Sequence, residues 1–200
     1  SPYRGEFYGT GSLNLLMQNA FNEKWSKKKL DGIGYYDKVI QIRNRPQSDP
    51  AYAYSDISRK NEKREIFNGE IGLSNVHGMD IAGKQYEKQS NITRFQVNFN
   101  GSTRHGLRYN YGKDLGRDSD GRFIPNQSVA DNLELAYAIS VHKSQGSEFD
   151  YVYIVIPKRD SHLLSMELLY TAITRAQKKV TIFLQEDIST LTNMSHLEKS

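Results

Sequence analysis

Cysteine is absent from all 200 residues, so neither a disulfide framework nor a thiolate metal site can form, and any chemistry must come from other side chains. The five histidines, His77, His105, His142, His162 and His196, are too scattered for a zinc cage, and no metal site is expected. No run of about 18 apolar residues is present to cross a bilayer, and no charged-then-apolar leader precedes the first strong motif. A soluble, cytoplasmic protein with no membrane partner is the expectation. Nowhere does the pattern Gly-x-x-x-x-Gly-Lys-Ser/Thr occur, and no acidic strand end accompanies it, so the sequence offers no cradle for a β-phosphate and no holder for magnesium.

What is present is an ordinary globular composition, 37% hydrophobic and 25% charged, enough for one sizeable core or a core with a small satellite domain. The net charge of +4 leans towards a polyanionic partner such as nucleic acid without requiring one. From Ser12 to about Trp25, Leu13, Leu16, Met17, Ala20 and Phe21 recur at helical spacing, with Ser12 placed to cap the helix. Short β-runs follow at Lys38–Ile42, Gly69–Val76 and Thr93–Phe99, the last closed by a hairpin-type Asn100-Gly101. They suggest a small antiparallel barrel. Pro46 to Glu65 and Gly112 to Asn132 are polar and long for connections, and read as surface loops or partly disordered segments.

After Asn132 the composition changes. Leu133–Val141 and Tyr151–Ile156 are nearly continuously apolar, as parallel strands covered on both faces would be. Ser165 can cap a helix carrying Leu168, Leu169, Ala172, Ile173 and Ala176, closed by Lys178-Lys179 and followed by a strand at Val180–Leu184. The fold expected is α/β: a parallel-sheet domain of residues 1–30 and 132–200, interrupted by an antiparallel barrel over 31–131. The opening Ser1-Pro2 leads straight into a Gly-rich helix entry, as though a preceding strand had been removed.

Two segments carry chemistry. Ala138 to Phe149 leaves a buried strand and collects Ser140, His142, Lys143, Gln145, Gly146 and Glu148 at one strand end, the edge where open α/β sheets bind ligands. Leu169 to Gln177 places Arg175 beside the apolar stripe of its helix, where a rigid guanidinium suits a phosphoryl group whose charge is spread over several oxygens. Taken singly, the first segment also admits the reading of a polar loop after a strand, and the second that of a helical arginine in a surface ion pair.

Together, Glu134-Leu135-Ala136-Tyr137-Ala138-Ile139-Ser140-Val141-His142-Lys143-Ser144-Gln145-Gly146-Ser147-Glu148-Phe149-Asp150 and Leu168-Leu169-Tyr170-Thr171-Ala172-Ile173-Thr174-Arg175-Ala176 resemble motifs V and VI of superfamily 1 helicases, especially the RecD-like branch. Asp37 to Asn44 and Phe67 to Gly72 are similar to that branch's inserted SH3-like barrel, and Ser1 to Gly5 with Gly9, Gly11, Leu13-Asn14 and Gln18 to the start of its second RecA-like domain.

The resemblance implies an α/β RecA-like motor domain with an SH3-like barrel insertion, acting in an ATP-dependent DNA helicase. It implies that Arg175 is a catalytic arginine finger on the γ-phosphate, that Gly146 and Glu148 join it at ATP, and that Ser140, His142 and Lys143 contact single-stranded DNA. Arg4 is a further DNA-contact candidate at the Gly9-Thr10-Gly11-Ser12 helix entry. ATP and Mg2+ serve the full-length protein, and this chain by itself is expected to bind neither and to be inactive. Its implied partners are single-stranded DNA, the N-terminal RecA-like domain of the same protein and a protein partner at the barrel. A non-catalytic binding module and an RNA helicase of the same superfamily are the alternatives. Asp118-Ser119-Asp120-Gly121 looks superficially like a calcium loop, but Gly116 and Gln127 stand where the first ligand and a bidentate Glu belong, so a turn is expected.

Overall fold

A computed structural model describes residues 9–24, 27–76, 92–100, 104–156 and 165–185. By their internal contacts they form two compact units, Leu16–Tyr137 and a second that combines the residues up to Leu15 with those from Ala138 onward.

The Leu16–Tyr137 unit is built on seven strands: β1 Lys38–Gln41, β2 Ala51–Ser55, β3 Lys60–Arg64, β4 Ile71–Val76, β5 Arg94–Phe99, β6 Leu107–Gly112 and β7 Leu133–Leu135. Their order is β3-β2-β6-β5-β4-β1-β7, and every pairing is antiparallel. Alternation drives the assembly. In Ala51-Tyr52-Ala53-Tyr54-Ser55 each alanine and the serine is buried while the tyrosines stay half-exposed, as a strand with one buried face requires. Val39, Ile66, Phe95, Val97, Phe99, Tyr109 and Tyr111 form the core, each buried aliphatic or aromatic side chain contributing about 1.5–3 kcal/mol. Phe99 packs edge-on against Tyr109 at 5.4 Å. The two core phenols keep polar partners: Tyr109 donates to the Glu65 carbonyl at 2.9 Å and Tyr111 to Gln41 Oε1 at 2.8 Å. Gly112, at φ +104°, ends β6 where a Cβ would lie 2.2 Å from the Thr93 carbonyl oxygen, so only glycine fits.

Two expectations are corrected here and a third, the loop over Gly112–Asn132, is narrowed. The polar stretch Pro46–Glu65 is the hairpin β2–β3, with Ala51 to Ser55 registered against Arg64 to Lys60. The charged β3 concealed it, because an edge strand need not alternate in hydrophobicity. Gly112–Asn132 is ordered without regular structure: Leu115, Ile124 and Val129 are buried, and Arg45, itself buried, donates to Gln127 Oε1 at 2.8 Å and Asn132 Oδ1 at 3.3 Å. Leu133–Val141 is no buried parallel strand. Only Leu133–Leu135 is extended, and it lies antiparallel to β1; the larger sheet of this α/β chain is therefore antiparallel. The turn at Asn100-Gly101 runs into residues outside those described. Asp118 is a buried turn former, its Oδ1 accepting from the Asp120 and Arg122 amides at 3.0 and 2.9 Å.

The bridge between Arg45 and Ile66 is reciprocal, at 2.7 and 3.1 Å, and joins the chain just beyond β1 to the chain just beyond β3.

In the other unit, β8 Phe149–Ile156 and β9 Ala176–Leu184 pair in parallel, with helix α2, Met166–Ile173, between them in sequence. Ser165 caps α2 as its position suggests, its Oγ accepting from the Leu168 amide at 3.2 Å. The helix ends earlier than the sequence implied: Lys178 and Lys179 belong to β9. One face of the pair is open, with Tyr151, Tyr153 and Phe183 exposed and the Tyr153 and Phe183 rings stacked at 6.2 Å.

Helix α1, Thr10–Asn22, contains the boundary between the units. Its buried face is the polar one. Asn14, Gln18 and Asn22 are buried at successive helical turns, whereas Leu15, Leu16 and Phe21 are 53%, 59% and 76% exposed. Apolar periodicity located the helix but pointed to the wrong face, because the amides find specific partners inside. Among the described residues, no helix is long and apolar enough to cross a membrane.

Candidate functional site

Residues Ala138 to Asp150 and Thr171 to Gln177 meet at the head of the parallel pair. Phe149 registers against Ala176, and the Phe149 amide donates to the Arg175 carbonyl at 2.8 Å. Arg175 is not inside α2. It occupies the short turn between the end of the helix at Ile173 and the start of β9 at Ala176, so its backbone is fixed by both elements. Its guanidinium donates to the Thr171 carbonyl at 3.2 Å, the Ser147 carbonyl at 3.4 Å and Thr174 Oγ1 at 3.3 Å. These bonds are long. Each sits at the weak end of the hydrogen-bond range, so redirecting the donors to a stronger anionic acceptor costs little.

The Ser147 carbonyl places the 144–148 loop beside Arg175. Gly146 lies in that loop at φ +80°, exposed, with nothing near the position of a Cβ. The left-handed backbone, and not crowding, is what calls for glycine there. The exposed Glu148 accepts from Gln177 Nε2 at 2.7 Å, and Asp150 pairs with Lys178 Nζ at 2.8 Å. Both contacts are exposed, and among the described residues no three acidic or histidine side chains cluster as a metal site would need.

His142 and Lys143 stand in a single 3-10 turn, His142–Ser144. Ser140 holds its start: its Oγ accepts from the Lys143 amide at 3.4 Å and its carbonyl from the Ser144 amide at 3.2 Å. Ser144 is buried and donates to the Val141 carbonyl at 2.7 Å, leaving His142 exposed. Ser140, His142 and Lys143 thus share one tight turn, and Gly146 and Glu148 follow in the loop that Arg175 touches from the α2–β9 turn. Arg4 lies outside the described residues, as do His77, His162 and His196.

Residues 135–183 match the UvrD-like helicase C-terminal domain. The RecBCD enzyme subunit RecD of Buchnera aphidicola subsp. Schizaphis graminum is 30% identical over 132 residues, 66% of this chain and 17% of that protein. The ATP-dependent RecD2 DNA helicase of Deinococcus radiodurans is 34% identical over 116 residues, 57% of this chain and 16% of that protein. The chain contains a superfamily 1, RecD-like helicase C-terminal region. An uncharacterised protein of Methanocaldococcus jannaschii is 32% identical over 98% of this chain and 15% of its own length. The chain therefore spans less than a fifth of the length of these relatives.

Sequence reasoning missed the anchors of this helicase region. Asn14 pairs twice with the Ala138 backbone, donating from Nδ2 to its carbonyl at 2.9 Å and accepting its amide on Oδ1 at 2.8 Å. In the sheet unit the wholly buried Asp37 accepts from Gln18 Nε2, from Asn22 Nδ2 at 2.6 Å, from the Gly34 amide at 2.7 Å and from the Tyr137 hydroxyl at 2.9 Å. Lys29 Nζ supports it from behind, donating to Gln18 Oε1 at 2.5 Å. The signal was available as amides at Asn14, Gln18 and Asn22, spaced to fall on one helical face.

Burial first, and then the Asp37 charge and hydrogen bond, push the Tyr137 phenol well above its ordinary value, and burial does the same to Tyr111. A raised folded-state pKa gives stability that is whole below the unfolded tyrosine pKa of about 10 and is lost as the pH rises past it. The urea midpoint is therefore expected to fall between about pH 10 and 11, and to fall less steeply in a Tyr137→Phe, Tyr111→Phe double variant. Parallel curves for the two proteins would contradict this.

Proposed function

We propose that this region is the second RecA-like motor domain of an ATP-dependent DNA helicase, formed by residues 1–30 and 132–200, with residues 31–131 an inserted SH3-like barrel that offers a surface to a protein partner. The Arg45–Ile66 bridge supports the barrel reading, since it links the two ends of the β3-β2-β6-β5-β4-β1 run. The observation that carries the proposal is Arg175, held in the α2–β9 turn with its guanidinium on the Ser147 carbonyl, so that an arginine and the Gly146 loop sit together at one strand end.

In this reading Arg175 reaches the γ-phosphate of ATP held by the N-terminal RecA-like domain and stabilises the charge that spreads over its oxygens as water attacks. Gly146 lets the loop backbone approach the nucleotide, and Glu148 turns from Gln177 to the ribose. Glu148 and Asp150 belong to no cluster of three ligating side chains among the described residues, so no step of the proposal uses a metal held here. Ser140 and Lys143 take phosphates of single-stranded DNA and His142 a sugar or base, contacts that grip the strand without reading sequence. Arg4 belongs to the same set. Closing and opening the cleft against the partner domain, in the cytoplasm, would then advance the protein along the strand.

The test is ATP hydrolysis by the full-length protein with and without single-stranded DNA, and separation of tailed DNA and RNA duplexes. DNA-stimulated turnover with DNA unwinding is expected; RNA-only stimulation would make it an RNA helicase, and no turnover a binding module. Lys143→Ala is expected to weaken binding to all single-stranded sequences alike and to reduce the salt slope by roughly 0.7, one phosphate contact. A sequence-dependent loss would contradict the phosphate role.

A further inference from the structure

The β2–β3 hairpin ends in Asp56-Ile57-Ser58-Arg59, and Ile57 at that tip is 91% exposed. A single exposed isoleucine is ordinary on a protein surface. This one differs in the rigidity of its support and in its charged setting. The Arg59 amide donates to the Ser55 carbonyl at 2.8 Å, and the Ser58 amide to Ser55 Oγ at 3.3 Å. Ser58 Oγ donates to Glu62, and that bond, followed by Arg64, holds the Glu62 carboxyl below its usual range. Asp56 pairs with Arg108 at 2.5 Å, and the Arg108 guanidinium lies 4.8 Å from the centre of the Tyr54 ring. A tip fixed this way presents its apolar residue without having to order a loop first.

Both acidic residues of the hairpin end are thus taken by arginines, Asp56 by Arg108 and Glu62 by Arg64. Arg59, Lys60 and Lys63 have no such carboxylate among the described residues. They are not on one side. Lys60 is registered with Ser55 and Lys63 with Tyr52, so by strand alternation their side chains leave opposite faces of the hairpin. Half-exposed Tyr52 and Tyr54 lie on the Lys63 face. An apolar point with cations on both flanks is complementary to two phosphate backbones diverging around a base step, where inserted Ile, Leu or Phe side chains unstack bases.

We propose that the β2–β3 hairpin is a wedge for nucleic acid, with Ile57 entering the base stack at a junction between duplex and single strands while Arg59, Lys60 and Lys63 hold the two backbones. The inference rests on the reading of the chain as part of a DNA motor and adds to it a strand-separating element in the inserted sheet.

The experiment uses the full-length protein and a forked DNA carrying a fluorescent base analogue at its last base pair. Wild type is expected to bind the fork and brighten the analogue as it unstacks. Ile57→Ser should bind within about 3-fold of wild type yet lose the brightening, since the contact removed is to bases and not phosphates. A triple variant, Arg59→Glu, Lys60→Glu and Lys63→Glu, should lose at least about 10-fold in affinity, its salt dependence shallower by roughly 0.9 for each duplex phosphate contact removed. All four positions are exposed, so circular dichroism of each variant should match wild type. If the fork binds and brightens equally with every variant, the wedge is wrong and the motor reading survives. If wild type does not bind the fork at all, both fall. Hairpin-dependent binding to vesicles of anionic phospholipid, with none to the fork, would also overturn the wedge.

Discussion

Arg175→Ala in the full-length protein is expected to lower DNA-stimulated ATP hydrolysis by about 10³–10⁵-fold, the range an arginine finger supplies in phosphoryl transfer. Single-stranded DNA binding should stay within about 2-fold, because the strand contacts are assigned to Ser140, His142 and Lys143 in the preceding 3-10 turn. The specificity of the effect follows from what Arg175 now does. Its three donors rest on carbonyl and hydroxyl oxygens at 3.2–3.4 Å, bonds too weak for their loss alone to unfold the α2–β9 turn, whose Ser165 cap and β9 register are independent of that side chain. Arg175→Lys should recover little, since an ammonium cannot span several phosphoryl oxygens as the planar fork does. The measurements are steady-state turnover with saturating single-stranded DNA and fluorescence anisotropy with a labelled strand. Turnover above about a tenth of wild type would sink the arginine-finger role.

The second large effect lies in the sheet unit. Asp37→Ala removes one carboxylate and takes an acceptor from four donors: the Gln18 and Asn22 amides, which keep the Gly32 and Tyr35 carbonyls, the Gly34 backbone amide and the Tyr137 hydroxyl. Each buried donor left unsatisfied costs about 1–3 kcal/mol, a large share of the roughly 5–15 kcal/mol that holds a typical domain together. Asp37→Asn keeps one oxygen and turns an NH2 group towards two of the donors, so it should lie between wild type and Asp37→Ala. Urea unfolding followed by circular dichroism reads the series, with Phe21→Ser as a control expected within about 0.5 kcal/mol of wild type at its exposed position. If Asp37→Ala is too unstable to purify, the Asp37→Asn midpoint carries the comparison. A loss under about 1 kcal/mol for Asp37→Ala would show that the network contributes little.

These two residues mark how far the sequence could be read. Arg175 was legible because its neighbours form a local string, Tyr170-Thr171-Ala172-Ile173-Thr174-Arg175, and the βαβ order around it follows from periodicity. Its location in a turn and not in the helix was not, since nothing local to Thr174 announces the helix end. Asp37 was invisible as a hub: its donors come from residues 18, 22, 34 and 137, and only the folded chain brings them together. The same holds for Arg45, whose partners Gln127 and Asn132 lie more than eighty positions away and give order to a stretch that composition marked as loose. The β2–β3 hairpin was hidden for the opposite reason. Its edge strand is charged at four of five positions, and polarity read as loop outweighed the Ala-Tyr alternation beside it.

The strand order also fixes a timetable. β1 joins β4 and β7, with Val39 opposite Gly72 on one side and Leu135 on the other. At a synthesis rate of about 5–20 residues per second, the roughly ninety residues between β1 and β7 take on the order of 5–20 seconds to leave the ribosome. Until Leu133–Leu135 has been made, Val39, Ile40 and Gln41 cannot complete the second of their two pairings, so that edge of the strand closes last.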